Sequence, residues 1–294
     1  MSSADVAVKV FRQLQPEDFR VLQVIEAAMA RHRYIPEDEL PKLTELSKRE
    51  LDFRLSRLTE FRLAERWVGP YTGYVLCTAG YDCLAINALV KAGILEAFGK
   101  PLGVGKESDV YDALTPKGNR IAIKFLRLGR TSFRSTRRTR GYVAQRRHIS
   151  WLYQSRLAAE KEFKALKLVY LHHVAVPKPI RQNRHVVVMG MIEGAELAEF
   201  SDIQNPRQTL KEILSNVRKA YIKAGVVHAD LSEFNIIMKP NWHILIIDWP
   251  QYVEKDHPSA DRLLERDVRN IVHFFKRKFK TRTSPEEALN YVKS

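Results

Sequence analysis

The segment His228-Ala-Asp-Leu-Ser-Glu-Phe-Asn235, followed after a short apolar run by Ile247-Asp248-Trp249-Pro250, constrains this chain most. It places two carboxylates and a carboxamide on two neighbouring pieces of chain. Residues 242–247 read as a strand, so Asp248 stands at a strand end while Asp230 and Asn235 share a loop. That spacing suits phosphoryl transfer, with Asp230 facing the attacking group and Asn235 and Asp248 holding metal. Mg²⁺ takes one or two protein oxygens and completes its shell with phosphate and water, and Asn235 and Asp248 supply such donors. Mn²⁺ accepts the same oxygen ligands. Short motifs recur by accident, so the reading depends on what else the chain carries.

Further parts occur upstream, in order. Leu102-Gly-Val-Gly-Lys-Glu-Ser-Asp-Val110 reads as a glycine-rich loop between strands. Gly103 and Gly105 let backbone approach phosphates, Lys106, Glu107 and Ser108 complete the turn, and Val110 covers the base. Ser108 stands where a third glycine is usual. Ile121-Ala-Ile-Lys124 matches the strand whose lysine pairs with the α- and β-phosphates. Glu162 lies among strong helix formers and is the expected partner of Lys124, with Glu160 as its competitor on another helix face. Met189-Gly-Met-Ile-Glu193 follows an apolar strand and reads as a hinge, where backbone near Met191 and Ile192 would meet the adenine edge. A loop, a lysine, a helical glutamate, a catalytic aspartate and two metal ligands in this order resemble the protein-kinase pattern.

The chain also resembles a narrower family. Gly129-Arg-Thr-Ser-Phe-Arg134, Ser150-Trp-Leu-Tyr153, Lys161-Glu-Phe163, the His228 to Asn235 loop and Ile247-Asp-Trp-Pro-Gln251 are similar to the RIO-type atypical serine/threonine kinases, in the subfamily bearing a winged helix, with a short C-terminal tail like that of archaeal members. The resemblance spans nearly the whole chain. It implies an ATP- and Mg²⁺-dependent kinase or ATPase acting in maturation of the small ribosomal subunit. Its implied partners are the small-subunit pre-ribosome and its rRNA, together with ribosomal or assembly proteins. It also implies a preference for ATP hydrolysis, with phosphorylation of the metal-binding aspartate, here Asp248, as one route; the sequence leaves water, a serine hydroxyl and this carboxylate open as phosphoryl acceptor.

The implied fold class is α+β, an N-terminal winged helix followed by a truncated two-lobed protein-kinase-like domain. We expect the winged helix over residues 1–93 and the kinase-like domain over 94–294, its lobes meeting near residues 189–190. In the first part Phe19, Leu22, Ile25 and Met29 follow helical spacing behind Pro16. Ser47 and Glu50 predict a capping box. Leu51, Leu55 and Leu58 form the stripe of a third helix, with Lys48, Arg49, Arg54 and Arg57 expected off it. Trp67-Val68 and Tyr74-Val-Leu76 flank residues 69–73 and read as a hairpin wing, and residues 79–96 as a further helix. A third helix that also carries Glu50, Asp52 and Glu60 suits protein docking as well as nucleic-acid reading.

Charge divides sharply along the chain. Residues 1–98 hold 13 Lys/Arg against 14 Asp/Glu, and residues 99–294 hold 36 against 20. The excess cation therefore sits in the kinase-like part. Residues 127–147 contain eight arginines and no acid, and Lys276-Arg-Lys-Phe-Lys-Thr-Arg282 is a second cluster. Arginine forks match phosphate oxygens, so both predict RNA contact. No apolar run reaches the ~20 residues of a membrane span, and residues 1–20 carry acids where a signal peptide has an apolar core. Cys77 and Cys83 match no zinc spacing and read as packing residues of a reducing compartment. These features predict a cytoplasmic enzyme away from membranes, monomeric when free.

Departures from ordinary kinases refine the expectation. Only 46 residues follow Asp248, and no A-P-E motif occurs among them, so no ordinary peptide-docking surface is expected. Ala229 replaces the arginine that reads a phosphorylated loop. Pro250 replaces a glycine, and its fixed φ opposes a flip of Asp248. The alternative function is a winged-helix nucleic-acid regulator with a non-catalytic nucleotide pocket. Retention of Lys124, Asp230, Asn235 and Asp248 argues for the enzyme.

Overall fold

The computed structural model describes residues 2–128 and 151–294. The chain divides into two compact units, Met1–Lys100 with Ala113–Asn119, and Pro101–Asp112 with Arg120–Ser294.

The first unit is built on α1 (Ser3–Phe11), α2 (Pro16–Ala28), α3 (Leu40–Thr44), α4 (Lys48–Glu60) and α5 (Thr78–Lys91). Strands β1 (Ile35–Pro36), β2 (Ala64–Val68) and β3 (Thr72–Leu76) form a small antiparallel sheet in the order β1-β3-β2. Leu22, Ile25, Leu51, Leu55 and Leu58 are buried together with Leu63 and Leu76, which is the core of a winged helix. The wing is rigidified by aromatic packing. Trp67 stacks on Tyr34 with ring centroids 4.9 Å apart, and a Cβ at Gly69 would come within 2.2 Å of the Trp67 ring.

Three expectations need correction in this unit. Helix α5 stops at Lys91 rather than running to residue 96, because Gly93 at φ 65° closes a left-handed cap in which Ile94 N–H donates to Leu89 and Gly93 N–H to Val90. Ser47 does cap α4 through Glu50 N–H, but the Glu50 carboxylate turns to Arg54 at 2.7 Å instead of returning to the cap. Arg54 is not an outward cation. It is buried and meets Asp18, itself fully buried, at 3.3 Å, and Arg57 approaches the same carboxylate at 3.4 Å. A buried carboxylate needs a partner, and these two arginines are that partner.

The second unit carries most of a five-stranded sheet of β4 (Ala97–Val104), β5 (Ser108–Leu114), β6 (Arg120–Leu126), β7 (Pro179–Asn183) and β8 (Val186–Gly190), in the order β4-β5-β6-β8-β7. Helix α6 (Trp151–Leu171) packs on β6, β7 and β8 through Ala158, Ala159, Ala165, Leu166 and Val169. The small residues let helix and sheet approach closely, which brings Glu162 to Lys124. Beyond Gly190 the chain forms short strands β9 (Ala195–Glu196), β10 (Val226–Val227), β11 (Ile236–Met238), β12 (Ile244–Ile246) and β13 (Val253–Glu254). Helices α7 (Pro206–Arg218), α8 (Ala260–Phe279) and α9 (Pro285–Lys293) pack together around Leu264, Val268, Ile271, Val272, Phe275 and Val292.

The β11–β12 hairpin joins the two halves of the polar constellation. It begins after Asn235 and returns just before Ile247-Asp248, with Ile236 opposite Ile246. The Ile247 N–H donates to Asn235 O at 2.9 Å. Antiparallel pairing therefore returns Asp248 to Asn235 although twelve residues lie between them in sequence.

Candidate active site

Lys124 projects from the middle of β6, where it is 7% exposed. Its ammonium lies 2.7 Å from Glu162 Oε1 and 2.8 Å from Asp248 Oδ1. Burial alone would lower the lysine pKa. Asp248 and Glu162 outweigh it and hold the group above its ordinary value, so Lys124 stays charged. Glu160, the competitor in sequence, is taken by Arg156 at 2.8 Å. Glu162 is thus the helical partner, and it is 1% exposed.

The loop bearing Asp230 is held from three sides. His228 Nε2–H donates to Ile247 O at 2.9 Å, which ties the loop to the strand end before Asp248. Its ring lies 4.5 Å from that of Trp249, and burial lowers its pKa to about 4. It is therefore neutral at physiological pH. From α8, Asp267 accepts the Ala229 N–H at 2.7 Å, Arg266 donates to Ala229 O, and Asn270 Nδ2 donates to Leu231 O at 3.3 Å. Burial raises the Asp267 pKa to about 6, against the lowering effect of Arg266. Asp230 itself is exposed. Asn235 Nδ2 donates to Asp230 O at 2.8 Å, which leaves Oδ1 as its atom for a metal. Ala229 and Asp248 both have left-handed backbone, at φ 63° and 68°. Such conformations cost of order 1–3 kcal/mol each in non-glycine residues and persist where surrounding structure enforces them.

The glycine-rich segment forms the turn between β4 and β5, closed by Gly105 N–H donating to Ser108 O at 2.8 Å. A Cβ at Gly103 would meet nothing within 4 Å. The protein's own packing does not require glycine there, which fits a cradle kept open for phosphate. Lys106 and Glu107 are exposed, Ser108 is partly buried, and Val110 is partly buried and packs against the core. Met189 lies within β8, opposite Ala122, with its side chain buried, so it forms wall rather than edge. Met191 and Ile192 follow the strand and are partly buried. Among the described residues no cluster of three or more His, Cys, Asp or Glu forms a metal site. Asn235 and Asp248 are instead the sparse oxygen set that suits Mg²⁺ together with phosphate.

Sequence reasoning missed a second buried network. Arg127 donates to Asp109 at 2.9 Å and lies 3.1 Å from His185, and its N–H donates to Glu107 O at 2.6 Å. Arg127 is 4% exposed, so it belongs to the interior and not to an RNA-facing run. The other seven arginines of that run lie outside the described residues. Asp267 was legible in principle, since it is a charged residue within the apolar stripe of its helix, beside Leu264, Val268 and Ile271.

The second unit is thereby a protein-kinase-like phosphotransferase fold. Residues 109–288 match the RIO domain family, and residues 11–92 match the family described as Rio2, N-terminal. The RIO-type serine/threonine-protein kinase Rio2 of Methanocaldococcus jannaschii is 44% identical over 254 residues, covering 85% of this chain and 92% of that protein. The serine/threonine-protein kinase rio2 of Schizosaccharomyces pombe is 37% identical over 92% of this chain and 79% of its own length. A crystal structure of the Rio2 kinase-ADP/Mg²⁺-phosphoaspartate complex from Chaetomium thermophilum superposes with a TM-score of 0.83 at 31% identity, covering 96% of this chain and 88% of that one. The chain belongs to the RIO kinase family, in the branch that carries the Rio2 N-terminal winged helix.

Proposed function

We propose that this chain is an ATP- and Mg²⁺-dependent RIO-type kinase and ATPase that transfers the γ-phosphoryl group to its own Asp248, and that it serves maturation of the small ribosomal subunit in the cytoplasm. The observation that carries the phosphoryl chemistry is Lys124 held between Glu162 and Asp248 at 2.7 and 2.8 Å. Glu162 fixes the ammonium where α- and β-phosphates would meet it. Asn235 and Asp248 would hold Mg²⁺, which neutralises charge on the β- and γ-oxygens when bound. A carboxylate oxygen of Asp248 attacks the γ-phosphorus and ADP departs with the broken P–O bond. Water then cleaves the acyl phosphate, Asp230 takes its proton, and inorganic phosphate and the Asp248 carboxylate result. The related Chaetomium structure bears the name of a phosphoaspartate complex, which supports this acceptor over a serine.

The excess positive charge of residues 99–294 supports rRNA as partner. In the first unit Arg54 and Arg57 are committed to Asp18, so the exposed face of α4 keeps Lys48 and Arg49 against Asp52 and Glu60. That balance favours RNA binding by the kinase-like unit.

A single-turnover experiment with γ-labelled ATP and Mg²⁺ tests the reading. Label should appear on the protein as an alkali-labile, hydroxylamine-sensitive adduct before phosphate is released. Asp248→Asn should abolish the adduct, and Asp230→Ala should slow phosphate release by at least ~10²-fold, the usual scale for a positioned acid or base. Rapid labelling of added serine peptides, with no adduct on the protein, would refute it.

A further inference from the structure

Helix α8 presents one face of a single sign. Arg262, Arg266, Arg269, His273, Lys276 and Arg277 are all exposed, at helical spacing. At 100° per residue they fall within about 100° of arc, along roughly 22 Å of helix. The acids of α8 lie elsewhere, Asp261 and Glu265 on one flank and Asp267 in the core. The other flank is the loop bearing Asp230, joined through Arg266 to Ala229 O, Asn270 to Leu231 O and Arg277 to Glu233 at 3.6 Å. Phe234 stands in that loop and is 58% exposed.

A merely solvated helix face interleaves both signs, because like charges four residues apart repel. Here Arg266 meets Asp267 at 3.2 Å and Arg269 meets Glu265 at 2.8 Å, while Arg262 and Lys276 have no protein partner among the described residues. Such a row gathers counter-ions, and a polyanion that displaces them gains their release. An exposed aromatic beside a cationic row is the pairing by which single strands are held, phosphates on cations and a base on the ring.

We propose that the exposed face of α8 and Phe234 form a docking surface for single-stranded RNA, which delivers a base to the loop bearing Asp230. This deepens the RNA-partner reading above and rests on it. It assigns the contact to residues of α8 and the loop bearing Asp230, all of them outside the arginine-rich run of residues 129–150. RNA seated there lies against the backbone that positions Asp230, so its binding and phosphate turnover should be coupled.

The test is fluorescence anisotropy of the full chain with a labelled oligouridylate, over about 50 to 200 mM salt. The triple variant Arg262→Gln/Arg269→Gln/Lys276→Gln should bind more weakly, its log–log salt slope shallower by about 2, at ~0.7 per lost single-strand contact. Phe234→Ala should weaken binding about fivefold or more without altering the slope, the effect of losing one stacked base. A control triple of the same charge on exposed positions elsewhere, Arg207→Gln/Lys211→Gln/Lys223→Gln, should leave the slope as it was. Equal losses in both triples would mean that net charge alone is read, and would overturn the proposal. Equal affinity for polyglutamate with no effect of Phe234→Ala would make the surface one for acidic protein, which also overturns it. If the unaltered chain fails to bind oligouridylate, the RNA-partner reading falls with it. If it binds and the α8 triple is unchanged, only this assignment falls.

Discussion

Acidification should set two buried groups behind Asp230 against one another. His228 has its pKa lowered by burial to about 4, while an unfolded histidine titrates near 6.5. The folded state therefore binds fewer protons than the unfolded state between these values. Stability from neutral His228 is complete above about pH 6.5 and is lost as pH falls through 4, ~3 kcal/mol in all. Of this, ~2 kcal/mol is lost between about pH 7 and 5. Asp267 works with the opposite sign. Burial raises its pKa to about 6, so the folded state takes up a proton there more readily than the unfolded chain, and acidification over the same span returns ~1 kcal/mol. The intact protein should thus show a shallow acid response that hides both contributions. His228→Gln keeps an N–H for Ile247 O but does not titrate. From pH 7 to 5 its urea-unfolding free energy should rise by ~1 kcal/mol where that of the parent falls by ~1 kcal/mol. Proton NMR should show the His228 ring untitrated down to about pH 5. An identical pH response in parent and variant, or a ring that titrates near 6.5, would refute the reasoning.

Three further contacts carry expectations of their own. Glu162→Gln keeps the shape of α6 but removes a charge from Lys124, and should weaken ATP binding and slow single-turnover transfer, with ATP titration and quench-flow as the readouts. Arg54→Ala leaves the fully buried Asp18 carboxylate short of a cation and should destabilise the first unit by about 3 kcal/mol, the scale of a broken buried pair; a thermal melt of the full chain should show an earlier transition. Arg127→Gln should raise the KM for ATP, since Arg127 pairs with Asp109 and its N–H holds Glu107 O beside the glycine-rich turn. Unchanged KM with a lowered melting temperature would assign Arg127 to stability alone.

The sequence made the polar chemistry of the site legible because that chemistry depends on residue type and short spacing. Lys124, Glu162, Asn235 and Asp248 could be named since a strand, a helix and a hairpin leave few ways to arrange them. The supports were not legible, because they depend on which residues face one another across long separations. Asp18 and Arg54 stand on different helices, and neither announces the other. Arg127 looks like the first member of a basic run, yet it directly follows a core strand and turns inward to Asp109. The capping box at Ser47 fails for a similar reason: Glu50 has a better partner in Arg54 than the cap N–H. Helix α5 reads too long because apolar residues continue past Gly93, where the backbone has already reversed hand.

The two left-handed residues also limit how this site can vary. At φ 63° a side chain branched at Cβ crowds its own backbone, so position 229 should accept glycine, asparagine or an unbranched chain and reject valine, isoleucine and threonine. A random substitution there is filtered by backbone shape before its chemistry is ever tested. The same holds at 248, where aspartate is among the few non-glycine residues at ease in that conformation. The Asp248 carboxylate, just beyond β12, is thus favoured twice, once by charge and once by fold. A lineage that abandoned catalysis would still find aspartate, asparagine or glycine the easiest residues to keep at that position.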